Sequence, residues 1–183
     1  GKGNVAIDSS AYSRNCALNN ITWIVVNGAS ISGTAGYITL PKLDSSVMFS
    51  NGFKIEFSGK INAKNGIIRV IDLAKSYNTE TSPIKFNSIN VGFKNDLMAF
   101  NSTGENGRTY RVEARGIDTS VFHNYVVDCV DNGKGYDISI SVDNTILAKS
   151  FFNYGGIANV TRSSNLIGKS NNSTETAIPN MVL

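Results

Sequence analysis

Strict two-residue alternation of apolar and polar side chains most limits the folds open to this chain. Along Lys54–Ile61 the apolar Ile55, Phe57 and Ile61 fall on one side and Lys54, Glu56, Ser58 and Lys60 on the other. Ser88–Phe93 and Tyr136–Val142 repeat the pattern. A period of two describes a strand with one buried and one wet face. Several such strands in one chain build antiparallel sheets that pack in two layers. Ile55, Phe57, Val91, Phe93, Ile138, Ile140 and Val142 are therefore expected between the two sheets.

Turn signals punctuate these runs. Asn51-Gly52, Asn65-Gly66, Lys94-Asn95-Asp96, Asn106-Gly107, Asp131-Asn132-Gly133 and Asp143-Asn144 each carry residues that tolerate the positive φ of tight hairpins. Ile21, Trp23 and Val25 alternate as a core strand, which gives the single tryptophan a structural place. One short helix is expected over Leu73–Tyr77, and the polar Ser170–Glu175 stretch reads as a loop before a last strand. There is no internal repeat and no long linker, so residues 1–183 read as one domain.

Composition narrows the function classes. The chain carries 17 basic and 14 acidic residues, a net charge of +3 with no block of like charge. That argues against nucleic acid as partner, which calls for a concentrated basic stripe. No apolar run approaches the roughly 20 residues of a membrane helix, so membrane insertion is not expected. With only 17% charged residues, the surface must be rich in Asn, Ser, Thr and Gly, as on extracellular and virion proteins. Two cysteines, Cys16 and Cys129, allow either one disulfide or two buried thiols. A single histidine, His123, leaves no zinc ligand set of the usual kind. The chain begins Gly1-Lys2-Gly3 without an initiator Met, which reads as a processed product or a module of a larger protein. Five N-x-Ser/Thr sequons, at Asn20, Asn101, Asn159, Asn171 and Asn172, are about what this Asn-rich composition produces by chance.

Five segments, in order, carry a family resemblance. Asp8–Leu18 resembles a D-S-S-G-x-x-x-x-G-x-L opening, with Ala11 and Cys16 where small residues are usual. Gly36–Pro41 resembles D-Y-V-x-L-P, and Phe122–Cys129 resembles W-x-H-V-A-V-T. Ile138–Asn144 is similar to an L-Y-V-D-G hairpin, and Leu166–Asn171 to a closing I-G-R-S-N. Together they resemble the laminin-G/pentraxin-like jelly-roll domains of the concanavalin A-like lectin and glucanase superfamily. The resemblance implies an all-β, two-sheet antiparallel jelly-roll sandwich whose opening segment, Val5–Asp8, lies by its closing segment, Ile178–Leu183. It also implies glycan recognition, adhesion or polysaccharide degradation. Fold alone does not choose among these.

The candidate chemistry follows. The glucanases of this fold carry a Glu-x-Asp-x-x-Glu strand, and a retaining glycosidase needs two carboxylates about 5–5.5 Å apart. Glu56, Glu80, Glu105, Glu113 and Glu175 are isolated in sequence, so that chemistry is not expected. Arg111, Glu113 and Arg115 share one strand face opposite Val112 and Ala114. They read either as a basic strip that meets an acidic or polar glycan or as a solvated ion-pair ladder. Asn124 and Asp128 share another strand face, opposite Tyr125, Val127 and Cys129. If the two strands are neighbours the polar rows adjoin, and the ligand site lies there on a concave sheet. Tyr110, Tyr77 and Tyr154 stand beside turn residues and are the candidate sugar-stacking aromatics. His123, Tyr125, Tyr110 and Arg115 are the residue types of a polysaccharide lyase, a base for the ring proton and a neutraliser for the uronate carboxylate. Ca²⁺ is the metal the resemblance implies, with Asp128, Asp131, Asn132 and Asp143 as candidate oxygens; no dense acidic loop accompanies them.

The reading expected is a carbohydrate-binding or adhesion module of an extracellular, cell-surface or virion-associated protein, its partner a glycan. A lyase acting on cell-wall glycan is the alternative, and a structural or protein-binding module the third.

Overall fold

The computed structural model describes residues 4–7, 14–24, 28–32, 36–44, 51–63, 66–75, 87–104, 106–171 and 180–183. Fifteen strands among them form two antiparallel sheets. In chain order these are β1 (Val5–Ala6), β2 (Cys16–Asn19), β3 (Thr22–Ile24), β4 (Gly28–Ser32), β5 (Tyr37–Leu40), β6 (Gly52–Ile61), β7 (Ile68–Ala74) and β8 (Ile89–Lys94). They continue as β9 (Leu97–Thr103), β10 (Thr109–Ala114), β11 (His123–Asp131), β12 (Gly135–Val142), β13 (Thr145–Asn153), β14 (Ser164–Ile167) and β15 (Asn180–Val182). One sheet runs β1-β2-β5-β14-β7-β8-β9-β10 and the other β13-β12-β11-β6-β15-β4-β3. This is the expected all-β jelly-roll sandwich. A single 3-10 turn, Tyr154–Gly156, follows β13.

The alternating residues fill the space between the sheets. Ile55, Val91, Phe93, Ile138, Ile140 and Val142 are buried, and Phe57 packs against them. Aromatic pairs cross the interface: Phe93 meets Tyr125 edge-on at 5.1 Å between ring centroids, and Phe53 meets Phe100 at 6.2 Å. Such pairs add to the stabilisation already gained from the apolar area removed from water.

The turn residues do the work their chemistry predicts. Asn95 (φ 55) closes β8 onto β9, and Asp143 and Asn144 (φ 48 and 65) close β12 onto β13. The Asp131 carboxylate accepts the Gly133 N–H at 2.8 Å, and Asn132 accepts the Lys134 N–H at 3.0 Å.

One expectation is corrected. Leu73 and Ala74 end strand β7 instead of opening a helix, because β7 lies between β14 and β8 and must supply both with ladder bonds. β1 edges one sheet, while β15 lies between β6 and β4 in the other. Of the two states the sequence leaves open for the cysteines, the free one is found, with Cys16 half-buried and Cys129 buried on opposite sheets. The opening motif at Asp8–Tyr12, the side chain of Trp23, residue Val25, Tyr77 and positions 172–179 lie outside the described residues.

Candidate functional site

A depression of about 360 Å³ lies on the outer face of β7–β10. The pleat builds it. Val91, Phe93, Met98, Phe100, Val112 and Ala114 point into the core, so Asn90, Gly92, Lys94, Ala99, Asn101, Arg111 and Glu113 point outward.

Register then aligns the outward residues in rows. Asn90, Asn101 and Arg111 stand side by side across three strands, and Gly92, Ala99 and Glu113 form the next row. Gly92 and Ala99 bring almost no side chain, so the middle row is a recessed floor. Arg69 pairs with Gly92 from β7, and a Cβ at Gly92 would stand 2.9 Å from an Arg69 guanidinium nitrogen. The missing side chain is what lets Arg69 lie across the strand.

Hydrogen bonds join these side chains into one line. Arg69 Nη1 donates to Asn90 Oδ1 at 2.8 Å, and Asn101 Nδ2 donates to the same oxygen at 2.9 Å. Arg111 Nη1 donates to Asn101 Oδ1 at 3.3 Å. Glu113 accepts from Arg111 Nε and, at 2.9 Å, from Arg115 Nη2. Arg115 follows β10 directly, and the next two N–H groups, of Gly116 and Ile117, are held by Asp96 in the β8–β9 turn. Four cations, Arg69, Lys94, Arg111 and Arg115, line the depression against two carboxylates, Asp96 and Glu113. The Arg111 hydrogen bond holds the Glu113 carboxyl below its ordinary range, with Arg115 adding to the effect. The ion-pair ladder read from sequence is therefore present, and it forms one wall of a groove.

Asn124 and Asp128 are not part of this groove, contrary to the expected adjoining of the two rows. They lie on β11, in the other sheet, while β10 edges the first. With Tyr125 and Val127 buried on one side, Asn124 and Asp128 face away from the Arg111 row, outward from the opposite side of the sandwich. Asn124 exchanges hydrogen bonds there with Ser58 and Glu56. Alternation reports which residues share a face of one strand, not which strands share a sheet.

The lyase set is likewise divided. Tyr110 and Arg115 belong to β10 and its end, His123 and Tyr125 to β11. Tyr125 is fully buried, and burial pushes its phenol upward, away from what a proton-abstracting phenolate needs. Both ring nitrogens of His123 are engaged: Nδ1 lies 2.6 Å from Asp143 Oδ2, and Nε2 3.0 Å from the Asp118 carbonyl. Tyr110 packs on Phe152 at 5.4 Å, and its hydroxyl donates to Asn153 Oδ1 at 3.1 Å. It seals the seam between β10 and β13 and is not a free stacking platform. Tyr154, 48% exposed, donates to Asp131 Oδ1 at 2.9 Å at the far end of β11.

The calcium candidates do not converge. Asp131 and Asp143 are at opposite ends of the β11–β12 pair, since Asp131 faces Tyr136 while Tyr125 faces Val142. Among the described residues no three His, Cys, Asp or Glu side chains are grouped as a metal site. The Asp143 carboxyl is lowered first by the Asn124 N–H and then by His123, a turn-capping role.

Sequence reasoning missed Arg69, Lys94, Asn90 and Asn101. The alternation of Ser88–Phe93 did put Asn90 and Gly92 on the wet side. Nothing in the sequence placed that strand two positions from Arg111.

The chain matches no protein-family model and no curated protein in sequence. Solved structures share its fold. The binding domain of Paraclostridial Mosquitocidal Protein 1 superposes with a TM-score of 0.68 at 9% identity, over 100% of this chain and 45% of that one. The Botulinum Neurotoxin serotype G binding domain gives 0.68 at 13%, over 96% and 43%. The Botulinum neurotoxin serotype D ligand binding domain, in complex with N-acetylneuraminic acid, gives 0.66 at 11%, over 100% and 45%. This chain thus spans less than half the length of these domains, and at such identities the likeness is one of fold.

Proposed function

We propose that this chain is a glycan-recognising binding module of an extracellular or surface protein, with its ligand site in the β7–β10 groove. The groove carries the reading: guanidinium and amide groups are fixed around a recessed floor on a rigid sheet, and such aimed donors orient a sugar. Structural neighbours that are themselves named binding domains, one holding N-acetylneuraminic acid, support it. Those domains are more than twice as long as the part this chain matches, so the sugar chemistry rests on the groove itself. The laminin-G-like motifs and the sandwich agree with a place in the laminin-G/pentraxin-like branch. Among the described residues no helix is long and apolar enough to cross a membrane.

A glycan array probed with the labelled chain tests this. Binding without release of an unsaturated sugar, followed by ultraviolet absorbance, is the expected outcome. Arg111→Ala and Arg115→Ala should each weaken the array hit by about three- to tenfold, consistent with loss of a charge-assisted hydrogen bond, with thermal stability nearly unchanged. An array without hits ends the reading, and product release replaces it with the lyase alternative.

A further inference from the structure

We propose that the β7–β10 groove selects glycans bearing more than one acidic group, carboxylate or sulfate, with Arg69 and Lys94 engaging one part of the ligand and Arg111 and Arg115 another. This rests on the glycan-binding reading above and adds the charge class of the ligand and the way it is gripped.

The spacing of the cations argues for several acidic groups. Strands in a sheet lie about 4.8 Å apart, so β7 and β10, three steps apart, are separated by roughly 14 Å. The guanidiniums of Arg111 and Arg115 are drawn together on the Glu113 carboxylate, so they act as one cationic site on the side of the groove away from Arg69. One carboxylate cannot reach all of these groups, whereas an extended chain with repeated acidic groups can.

The side chains between the cations suit the rest of a sugar. Asn90 and Asn101 run across the groove between Arg69 and Arg111, and amides both donate to and accept from hydroxyls. Glu113 holds the Arg111 and Arg115 guanidiniums in place. The bonds named use two of the five N–H donors of Arg111 and one of those of Arg115, leaving the remainder of each fork for a ligand. Gly92 and Ala99 keep the floor low, and the cations surround a depression instead of projecting from a flat plane. Ile67 is the one large apolar side chain exposed at this groove among the described residues. That shape favours an inserted chain over a planar anionic membrane.

The test uses the chain with three oligosaccharides of equal length: a heparin-derived octasaccharide, a hyaluronan octasaccharide, and a heparin octasaccharide desulfated, N-acetylated and carboxyl-reduced to neutrality. At least one acidic probe should bind about tenfold or more tighter than the neutral one. Arg69→Ala and Arg115→Ala should each reduce that binding by about three- to tenfold. Arg115 is the safer of the two for folding, its side chain being 67% exposed. Lys54→Ala and Lys149→Ala remove the same charge from the other sheet and should leave binding unchanged.

Equal binding of acidic and neutral probes overturns the charge selection while leaving a glycan-binding module. Weakening by Lys54→Ala or Lys149→Ala to the same extent as Arg115→Ala overturns the groove assignment in favour of overall charge. Binding to phosphatidylserine vesicles with none to any oligosaccharide overturns the inference in favour of a membrane. If neither the oligosaccharides nor the array glycans bind, this inference and the proposed function fall together.

Discussion

Two residues show how burial and pairing set behaviour one side chain at a time. Tyr125 stacks on Phe57 at 5.1 Å and meets Phe93 edge-on, yet its buried hydroxyl has no hydrogen-bond partner among the described residues. A buried hydroxyl without a partner costs roughly 1–3 kcal/mol. Tyr125→Phe should therefore be as stable as the parent or up to about 2 kcal/mol more stable. Tyr125→Ala should lose roughly 3–5 kcal/mol with its ring. Urea denaturation of both variants decides, and a clearly destabilised Tyr125→Phe would show that the hydroxyl is satisfied in solution. Glu113 gives the pH-dependent case. Its carboxyl is lowered in the folded protein from the ordinary value of 4.5 by Arg111 and Arg115. A depressed carboxyl contributes stability above its unfolded value and loses it as pH falls through the folded one. The stability advantage of the parent over Glu113→Gln should accordingly be full above about pH 4.5 and shrink below it. Thermal melts across that range check this, and a constant difference would mean the pair contributes nothing.

At the scale of elements, hairpin chemistry and register position the groove. The β12–β13 connection has two residues, Asp143 and Asn144, both at positive φ, the turn whose twist matches that of the flanking strands. Asp143 also accepts the Asn124 N–H at 2.9 Å, tying the turn to the start of β11. Asn144→Gly should be tolerated, whereas Asn144→Val forces a β-branched residue into the left-handed region at roughly 1–2 kcal/mol. Comparison of the two melting temperatures checks this, and equal values would place the turn in another conformation. The same hairpin logic, with Asn95 at positive φ, joins β8 to β9 and sets Asn90 opposite Asn101. One residue of slip there would turn one of the two amides into the core. The groove is thus as well defined as the turn beside it.

At the scale of the molecule, distant segments complete each sheet. β15 pairs with β4 on one side and β6 on the other, and Met181 is buried in the core beside Ile31 and Ile61. Removing residues 180–183 would strip ladder partners from two strands and open the core at that point. The truncated chain should lose cooperative unfolding, and circular dichroism melts check it; a sharp transition near that of the parent would show that the last strand is dispensable. Strand order also separates the polar rows. β10 and β11 follow one another in the chain, yet the intervening residues carry it from one sheet to the other. Arg111 and Asn124, thirteen residues apart, consequently serve opposite surfaces.

The sequence by itself determined what is local. Alternation selected strands and their buried faces, so Ile55, Val91, Phe93, Ile138 and Ile140 could be named as core. Asn, Asp and Gly pairs marked the turns because few residues accept positive φ. The Arg111–Glu113–Arg115 ladder was legible for the same reason, since i and i+2 share a face on any strand. Only the tertiary structure decided which strands lie side by side. That choice is made by the packing of whole apolar faces against one another, and no short stretch of sequence encodes it. It brought Arg69, Asn90 and Asn101 to the Arg111 row and sent Asn124 and Asp128 to the other side. It also placed Cys16 and Cys129, and likewise Tyr110 and His123, on opposite sheets, against pairings that residue types alone suggest.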